Sequence, residues 1–126
     1  MKKRILIVDD STTIRTQLVG ELSSDFECLA ASNGQEGLQL AFDQSPDAMV
    51  VDLEMPVMDG LDLLRSIKGD ERTKKIPVLV VTTVTAVDQV NECRSLGCAG
   101  FVLKPVQVDY LKVKLRQVLA RAAAAG

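Results

Sequence analysis

Four apolar runs in this 126-residue chain each end on a residue that can do chemistry. Ile5-Leu6-Ile7-Val8 ends on Asp9 and Asp10, and Ala48-Met49-Val50-Val51 on Asp52. Val78-Leu79-Val80-Val81 ends on Thr82, and Phe101-Val102-Leu103 on Lys104. Taken singly, Asp52 reads as a turn or helix-capping aspartate and Lys104 as half of an ordinary salt bridge. Taken together, three carboxylates, a hydroxyl and an ammonium converge if the four runs are neighbouring strands of one sheet. Two like charges about 4 Å apart repel by roughly 4 kcal/mol at an effective dielectric near 20, so such a cluster asks for a cation. Mg²⁺ suits it, taking one or two carboxylates and keeping several waters; Mn²⁺ would serve similarly. A carboxylate beside the metal stays ionised and can act as a nucleophile, as in aspartyl-phosphate chemistry. Metal and lysine would then neutralise charge on a transferring phosphoryl group.

The elements that must position these groups follow from periodicity. The apolar runs fit strands covered on both faces: Arg4 to Val8, Phe26 to Ala30, Met49 to Asp52, Val78 to Val81 and Phe101 to Leu103. Between them lie helical spacings. Ile14, Leu18 and Leu22 mark the first, capped by Ser11 or Thr12, and Gly34 to Phe42 forms the second. Leu61, Leu64 and Ile67 mark the third, and Val87, Val90, Cys93 and Leu96 the fourth, stopped by Gly97. Val108, Leu111, Leu115, Val118 and Leu119 form the stripe of the fifth. Lys68 to Lys75 reads as a charged surface loop, and the tail Ala120 to Gly126 is expected to fray. Strict alternation predicts an α/β fold, a five-stranded parallel sheet with helices on both faces. Chemistry in such a sheet collects beyond the carboxyl ends of the strands.

Composition narrows the chemistry further. The chain has no histidine, which removes Ser–His and Cys–His nucleophiles and any histidine base. The formal net charge of -2 argues against a general nucleic-acid or anionic-membrane binder. No apolar run approaches membrane-spanning length, and no signal peptide is expected, because Ile5 to Val8 is too short for its apolar core. Cys28, Cys93 and Cys98 cannot all pair with one another and have no histidine for a zinc site, so reduced thiols in a cytoplasmic protein are expected.

The chain resembles the receiver domain of two-component response regulators, with the chemotaxis-regulator-like fold. The resemblance spans essentially the whole chain. It rests on Ile5-Leu6-Ile7-Val8-Asp9-Asp10-Ser11, on Asp52 with Met55-Pro56 and Asp59-Gly60, on Val81-Thr82 and on Lys104-Pro105, at matching separations. It implies a flavodoxin-like (βα)5 sheet of strand order 2-1-3-4-5, and residues 1–126 as one receiver domain with its core at about 3–121 and a disordered alanine-rich tail. Position by position it implies that Asp52 is the phosphoacceptor and Asp10 a direct Mg²⁺ ligand, as Asp52 also is. Glu54 would give its backbone carbonyl to the metal, and Asp9 would act through water. Thr82 would bond the phosphoryl group, Lys104 would pair with it, and Pro105 would follow a cis peptide bond. Phe101 matches the aromatic switch position, where tyrosine is commoner and adds a hydroxyl contact that phenylalanine cannot make. Thr83 stands where a small residue is usual, and its bulk bears on access to the phosphoryl group.

Other uses of this fold fit less well. A haloacid-dehalogenase-type phosphatase needs an aspartate where Ser11 stands, and a flavodoxin needs a hydroxyl loop and aromatic rings where Asp9-Asp10 would repel phosphate. No P-loop motif is present. The expected function is therefore a phosphoacceptor switch in a two-component or chemotaxis-type phosphorelay, catalysing its own aspartyl phosphorylation and dephosphorylation. Expected partners are a sensor histidine kinase or phosphotransfer protein and a downstream protein target, with no direct nucleic acid and no membrane insertion. The target would read the face of the fourth helix, fifth strand and fifth helix, through which a weak dimer is the alternative to a monomer. A receiver-like interaction module that is not phosphorylated is the alternative function.

Overall fold

A computed structural model describes residues 2–125; Met1 and Gly126, the latter ending the tail expected to fray, lie outside the described residues. The chain alternates throughout: β1 (Arg4–Val8), α1 (Thr12–Leu22), β2 (Glu27–Ala31), α2 (Gly34–Gln44), β3 (Ala48–Val51), α3 (Gly60–Gly69), β4 (Val78–Thr82), α4 (Val87–Ser95), β5 (Gly100–Leu103) and α5 (Val108–Ala125). The strands pair in parallel in the order β2-β1-β3-β4-β5, as expected.

The unbroken apolar runs of β1, β3 and β4 follow from side chains alternating between two buried faces. Leu6, Val8, Met49, Val51, Val78 and Val80 enter one core with Leu63, Leu64 and Ile67 of α3 and Cys93 of α4. Ile5, Ile7, Ala48, Val50, Leu79 and Val81 enter the other with Leu18 and Leu22 of α1 and Leu111 and Leu115 of α5. Three helices start on side-chain caps, which satisfy backbone N–H groups that lack a partner in the first turn. Ser11 accepts from Ile14 N at 3.2 Å, Asn33 from Glu36 N at 2.9 Å and Asp59 from Asp62 N at 2.9 Å. Helix α4 begins at Val87, has Ala86 at its N-cap position with no side-chain cap, and buries only Cys93 fully. Its expected stripe is therefore half realised, and Val87 stands 70% exposed.

One further expectation is refined and another corrected. Residues 68–75 are the charged, mostly exposed segment expected, but Lys68 and Gly69 belong to α3 and the segment is anchored to the core. Thr73 is buried and donates to Ile67 O at 2.8 Å, Lys68 Nζ donates to Lys74 O and Ile76 O, and the Arg72 guanidinium lies 4.1 Å from the centre of the Phe42 ring. Charge counting hid this, because one small hydroxyl and one lysine ammonium, each turned onto backbone carbonyls, do the anchoring. The tail also departs from the disorder expected of it: α5 runs on through Ala125. Alanine has the highest helix propensity, and propagation costs far less than starting a new helix.

The loop after β3 holds a strained residue. Met58 N donates to Pro56 O at 2.8 Å across Val57, whose φ is +69. This is a three-residue turn with positive φ at its centre, a conformation that is rare and strained, and a β-branched side chain suits it poorly. Val57 is also 80% exposed, so packing gives little back. Val57→Asn should raise the unfolding free energy by about 1 kcal/mol, read from urea denaturation at an unchanged m-value. A loss of stability would mean that Val57 makes a compensating contact.

Candidate functional site

Strand register brings the predicted residues together. Val8 pairs with Val51, Val51 with Val80, and Thr82 with Leu103. Asp9, Asp52 and Lys104 each lie one residue beyond a strand, at the carboxyl edge of the sheet. Asp52 N donates to Val8 O at 3.0 Å, and Lys104 N to Thr82 O at 3.0 Å, which extends the ladder into the site. The backbone of α3 then passes directly over this edge. A Cβ on Gly60 would stand 2.2 Å from Asp52 O, so only glycine fits there.

Lys104 bridges two of the acids. Its Nζ donates to Asp9 Oδ2 at 2.8 Å and to Asp52 Oδ2 at 3.1 Å, with all three side chains nearly buried. Burial alone would lower the pKa of this ammonium. The hydrogen bond to Asp9 and the charge and hydrogen bond of Asp52 outweigh it, and the pKa is raised. The second oxygens of the acids are fixed by the chain itself: Asp9 Oδ1 accepts from Ser11 N at 2.9 Å and Asp52 Oδ1 from Glu54 N at 3.3 Å. Asp10 is exposed, yet it completes a group with Asp9 and Asp52 in which one carboxylate oxygen from each lies within 4.8 Å of the others. Three carboxylates face one ammonium, so the pocket is short of positive charge. Converging hard oxygen donors, one side open to water, are the donor set of a Mg²⁺ site that keeps part of its hydration shell. The residues present fit that ion.

The remaining predicted residues divide. Thr82 is fully buried, and its Oγ1 accepts from Val84 N at 3.2 Å. The Lys104–Pro105 peptide is cis, as expected. Phe101 does not reach the carboxylates. It is half-buried, packed against the core on the α3–α4 side and paired in register with Val80. The Glu54 side chain is exposed and accepts from Thr83 Oγ1 at 3.2 Å across the mouth of an open cleft of about 560 Å³. Thr83 thus ties two loops together as well as adding bulk.

Sequence reasoning missed Arg15 and Gln89. The Arg15 guanidinium donates to Asp9 O at 2.6 Å from one turn into α1, and Gln89 lines the cleft from α4. Neither closes a strand, so the signal that located the others did not apply. Arg15 could have been suspected from its spacing alone, four residues after the Ser11 cap.

An acidic pocket bridged by a lysine, at the carboxyl edge of a 2-1-3-4-5 sheet, defines a receiver-type protein. The chain matches the response regulator receiver domain over residues 5–116. It is 37% identical over 121 residues to the chemotaxis protein CheY of Pseudomonas aeruginosa, covering 94% of this chain and 97% of that protein. It is 36% identical over 119 residues to a protein-glutamate methylesterase/protein-glutamine glutaminase of Bacillus licheniformis, covering 88% of this chain but 32% of that protein. The crystal structure of a CheY-like response regulator receiver domain protein from Methanospirillum hungatei is 25% identical, covers the whole of both chains and superposes with a TM-score of 0.94. The chain belongs to the response regulator receiver family, whose work is phosphorelay signalling. No helix among the described residues is long and apolar enough to cross a membrane.

The Lys104 bridge gives a test. Removing one partner of a sealed buried ion pair costs roughly 3–5 kcal/mol, and the open side at Asp10 should reduce this to about 2 kcal/mol for Lys104→Met at neutral pH without divalent ions. A raised lysine pKa means that the stabilisation is fully present below the ordinary value of 10.5 and is lost as pH rises through the folded value. The stability difference between wild type and variant should therefore stay level through the neutral range and close in the alkaline limb. A difference that instead closes between about pH 6 and 8 would place the bridging charge elsewhere.

Proposed function

We propose that this protein is a phosphorylation-controlled switch of a two-component or chemotaxis-type phosphorelay, with Asp52 as the phosphoacceptor. The observation that carries the reading is the convergence of Asp9, Asp10 and Asp52 on one pocket with Lys104 bridging two of them. We read residues 1–126 as one receiver domain working in the cytoplasm, in keeping with its three free thiols. Asp10 and Asp52 would hold Mg²⁺ with the backbone carbonyl of Glu54, and Asp9 would reach it through water. When bound, the ion supplies charge neutralisation for the acidic cluster and for the phosphoryl oxygens.

The donor is a phosphohistidine on a sensor histidine kinase or phosphotransfer protein, since this chain has no histidine of its own. A carboxylate oxygen of Asp52 attacks phosphorus, an aspartyl O–P bond forms, and the N–P bond breaks with the electron pair leaving on the partner's imidazole. Lys104 already lies 3.1 Å from Asp52 Oδ2 and needs only a small shift to meet the incoming phosphoryl oxygen. The buried hydroxyl of Thr82 accepts from Val84 N, which leaves its own proton free to donate to a second phosphoryl oxygen. Movement of Thr82 toward the pocket vacates space beside β5, into which Phe101 can turn. Phenylalanine has no hydroxyl to desolvate on the way in. The surface thereby altered is α4, β5 and α5, which carries the exposed apolar residues Val87, Leu103, Tyr110 and Val113 and suits a protein target or a weak self-association.

Acetyl phosphate with Mg²⁺ should label Asp52, and the beryllofluoride mimic should occupy the same pocket. Labelling should disappear in Asp52→Asn, and in Asp10→Ala it should fall at least tenfold at millimolar Mg²⁺. Undiminished uptake by Asp52→Asn, located by peptide mapping, would remove Asp52 from the role.

A second measurement addresses the switch. Beryllofluoride should shift the amide resonances of α4, β5 and α5 in wild type. Thr82→Ala should still accept the mimic but lose most of that propagation, because a ligand moves an equilibrium only by its differential contacts with the two states. Full propagation in Thr82→Ala would take the hydroxyl out of the relay.

A further inference from the structure

Helix α4 ends in a turn that sets two of the three cysteines against each other. Cys98 N donates to Cys93 O at 3.0 Å and Gly97 N to Arg94 O at 3.0 Å, with Gly97 at φ +91. These are the paired 6→1 and 5→2 hydrogen bonds of the Schellman motif, in which the side chains of the first and sixth residues commonly touch. Here both residues are cysteine. Bond geometry across the Cys98–Cys93 hydrogen bond holds the two Cα atoms within about 7 Å, and disulfides span roughly 4.4–6.8 Å. Cys93 is fully buried in the core on the α3–α4 side, and the half-buried Cys98 packs against that same core. The Cys93 thiol also senses the charge of Cys98: burial pushes Cys93 up to about 11, and Cys98 adds to the rise. Neither belongs to the carboxylate pocket, because this turn leads into the opening residue of β5 while the pocket lies beyond its last.

We propose that Cys93 and Cys98 are a dithiol site that closes to an intramolecular disulfide by exchange with a low-molecular-weight disulfide such as oxidised glutathione. Cys98 reacts first, since it alone of the pair reaches solvent. Burial raises its thiol, while the Gly100 N–H, Arg94 and Lys68 pull it back. Its thiolate attacks one sulfur of the oxidant, forming a mixed disulfide and releasing one thiolate. The Cys93 sulfur then attacks the Cys98 sulfur, loses its proton and expels the second thiol. Two protein thiols become one disulfide as one small disulfide becomes two thiols, so atoms and electrons balance. The bridge fastens the last turn of α4 to the segment entering β5. It constrains a helix that has no N-terminal side-chain cap and whose one fully buried residue is Cys93 itself. Cys28, on β2, is the internal control.

The full reduced chain is equilibrated with excess oxidised glutathione, remaining thiols are alkylated, and peptides are mapped by mass. The expected product has lost two hydrogens, retains no glutathione, protects Cys93 and Cys98 and leaves Cys28 alkylated. Cys93→Ala should stop at a Cys98–glutathione adduct, and Cys98→Ala should form no bridge. Phenylarsine oxide, whose arsenic binds two adjacent thiols at once, should bind one per chain in wild type and lose that binding in either variant, which reads the adjacency without oxidation. Glutathione retained on Cys98 in wild type, a link to Cys28, or three thiols still alkylated at equilibrium would each overturn the proposal. These readouts do not involve Asp52, so their failure is distinct from failure of the phosphoacceptor reading.

Discussion

The structure depends on one electrostatic constraint: three carboxylates are held at one sheet edge, and the described residues set a single ammonium against them. Neighbouring carboxylates at this spacing repel by several kcal/mol at an effective dielectric near 20. Lys104 offsets part of that, and it can do so only because β5 ends within reach of the ends of β1 and β3. The remaining deficit of positive charge is what makes the pocket receptive to a divalent cation. A fold that neutralised its own cluster completely would have less to gain from an ion. The polar site and the apolar sheet are therefore linked, since the register that buries Val8 against Val51 also sets Asp9 beside Asp52.

The constraint extends into the loops. Asp52 cannot move back, because its N–H is committed to Val8 O, and it cannot be crowded from above, because Gly60 leaves room where any side chain would collide with the Asp52 carbonyl. The Asp9 carboxylate is turned toward Lys104 by the Ser11 N–H, the start of the same turn whose hydroxyl caps α1. Such preorganisation by main-chain groups costs little side-chain entropy, and it leaves Asp10, the least constrained of the three, facing water. The rigid acids and the open one thus divide two requirements of the proposed reaction, a fixed nucleophile and an accessible ion.

Much of this was legible in the sequence for a simple reason. Parallel strands buried on both faces are written as continuous apolar runs, and their carboxyl ends are where the polar residues must appear. Asp9, Asp10, Asp52, Thr82 and Lys104 could be located by that rule before any contact was known. What could not be read was pairing. Nothing in residue type says that Lys104 bridges Asp9 as closely as Asp52, that Thr83 bonds the Glu54 carboxylate, or that Arg15 holds the Asp9 carbonyl. The alanine tail misled, and the anchoring of residues 68–75 stayed hidden, because local composition was weighed without its tertiary setting. Thr73 finds a core acceptor in Ile67 O, and the tail continues a helix already nucleated by Leu111 and Leu115.

Stability is distributed in the same pattern as the proposed function. The core on the α1–α5 side is closed by long stripes on both helices, whereas α4 contributes one fully buried residue and leaves Val87 in water. Elements with few buried apolar contacts open at lower free-energy cost than the rest of a fold. Helix α4 is therefore the helix that the proposed switch would move at least cost, and it leads into β5, which carries Phe101 and ends beside Lys104. A change of charge at Asp52 need not deform the sheet to be felt at the surface. In the proposed switch it would need only to bias the packing of a weakly held helix, and a difference of about 1.4 kcal/mol shifts a population ratio tenfold. The same weakness explains why the closing turn of α4 matters: with no side-chain cap at its start, the helix is fixed to the body of the protein through Cys93, the partly buried Leu96, the Arg65–Glu92 ion pair and the Gly97 turn that follows.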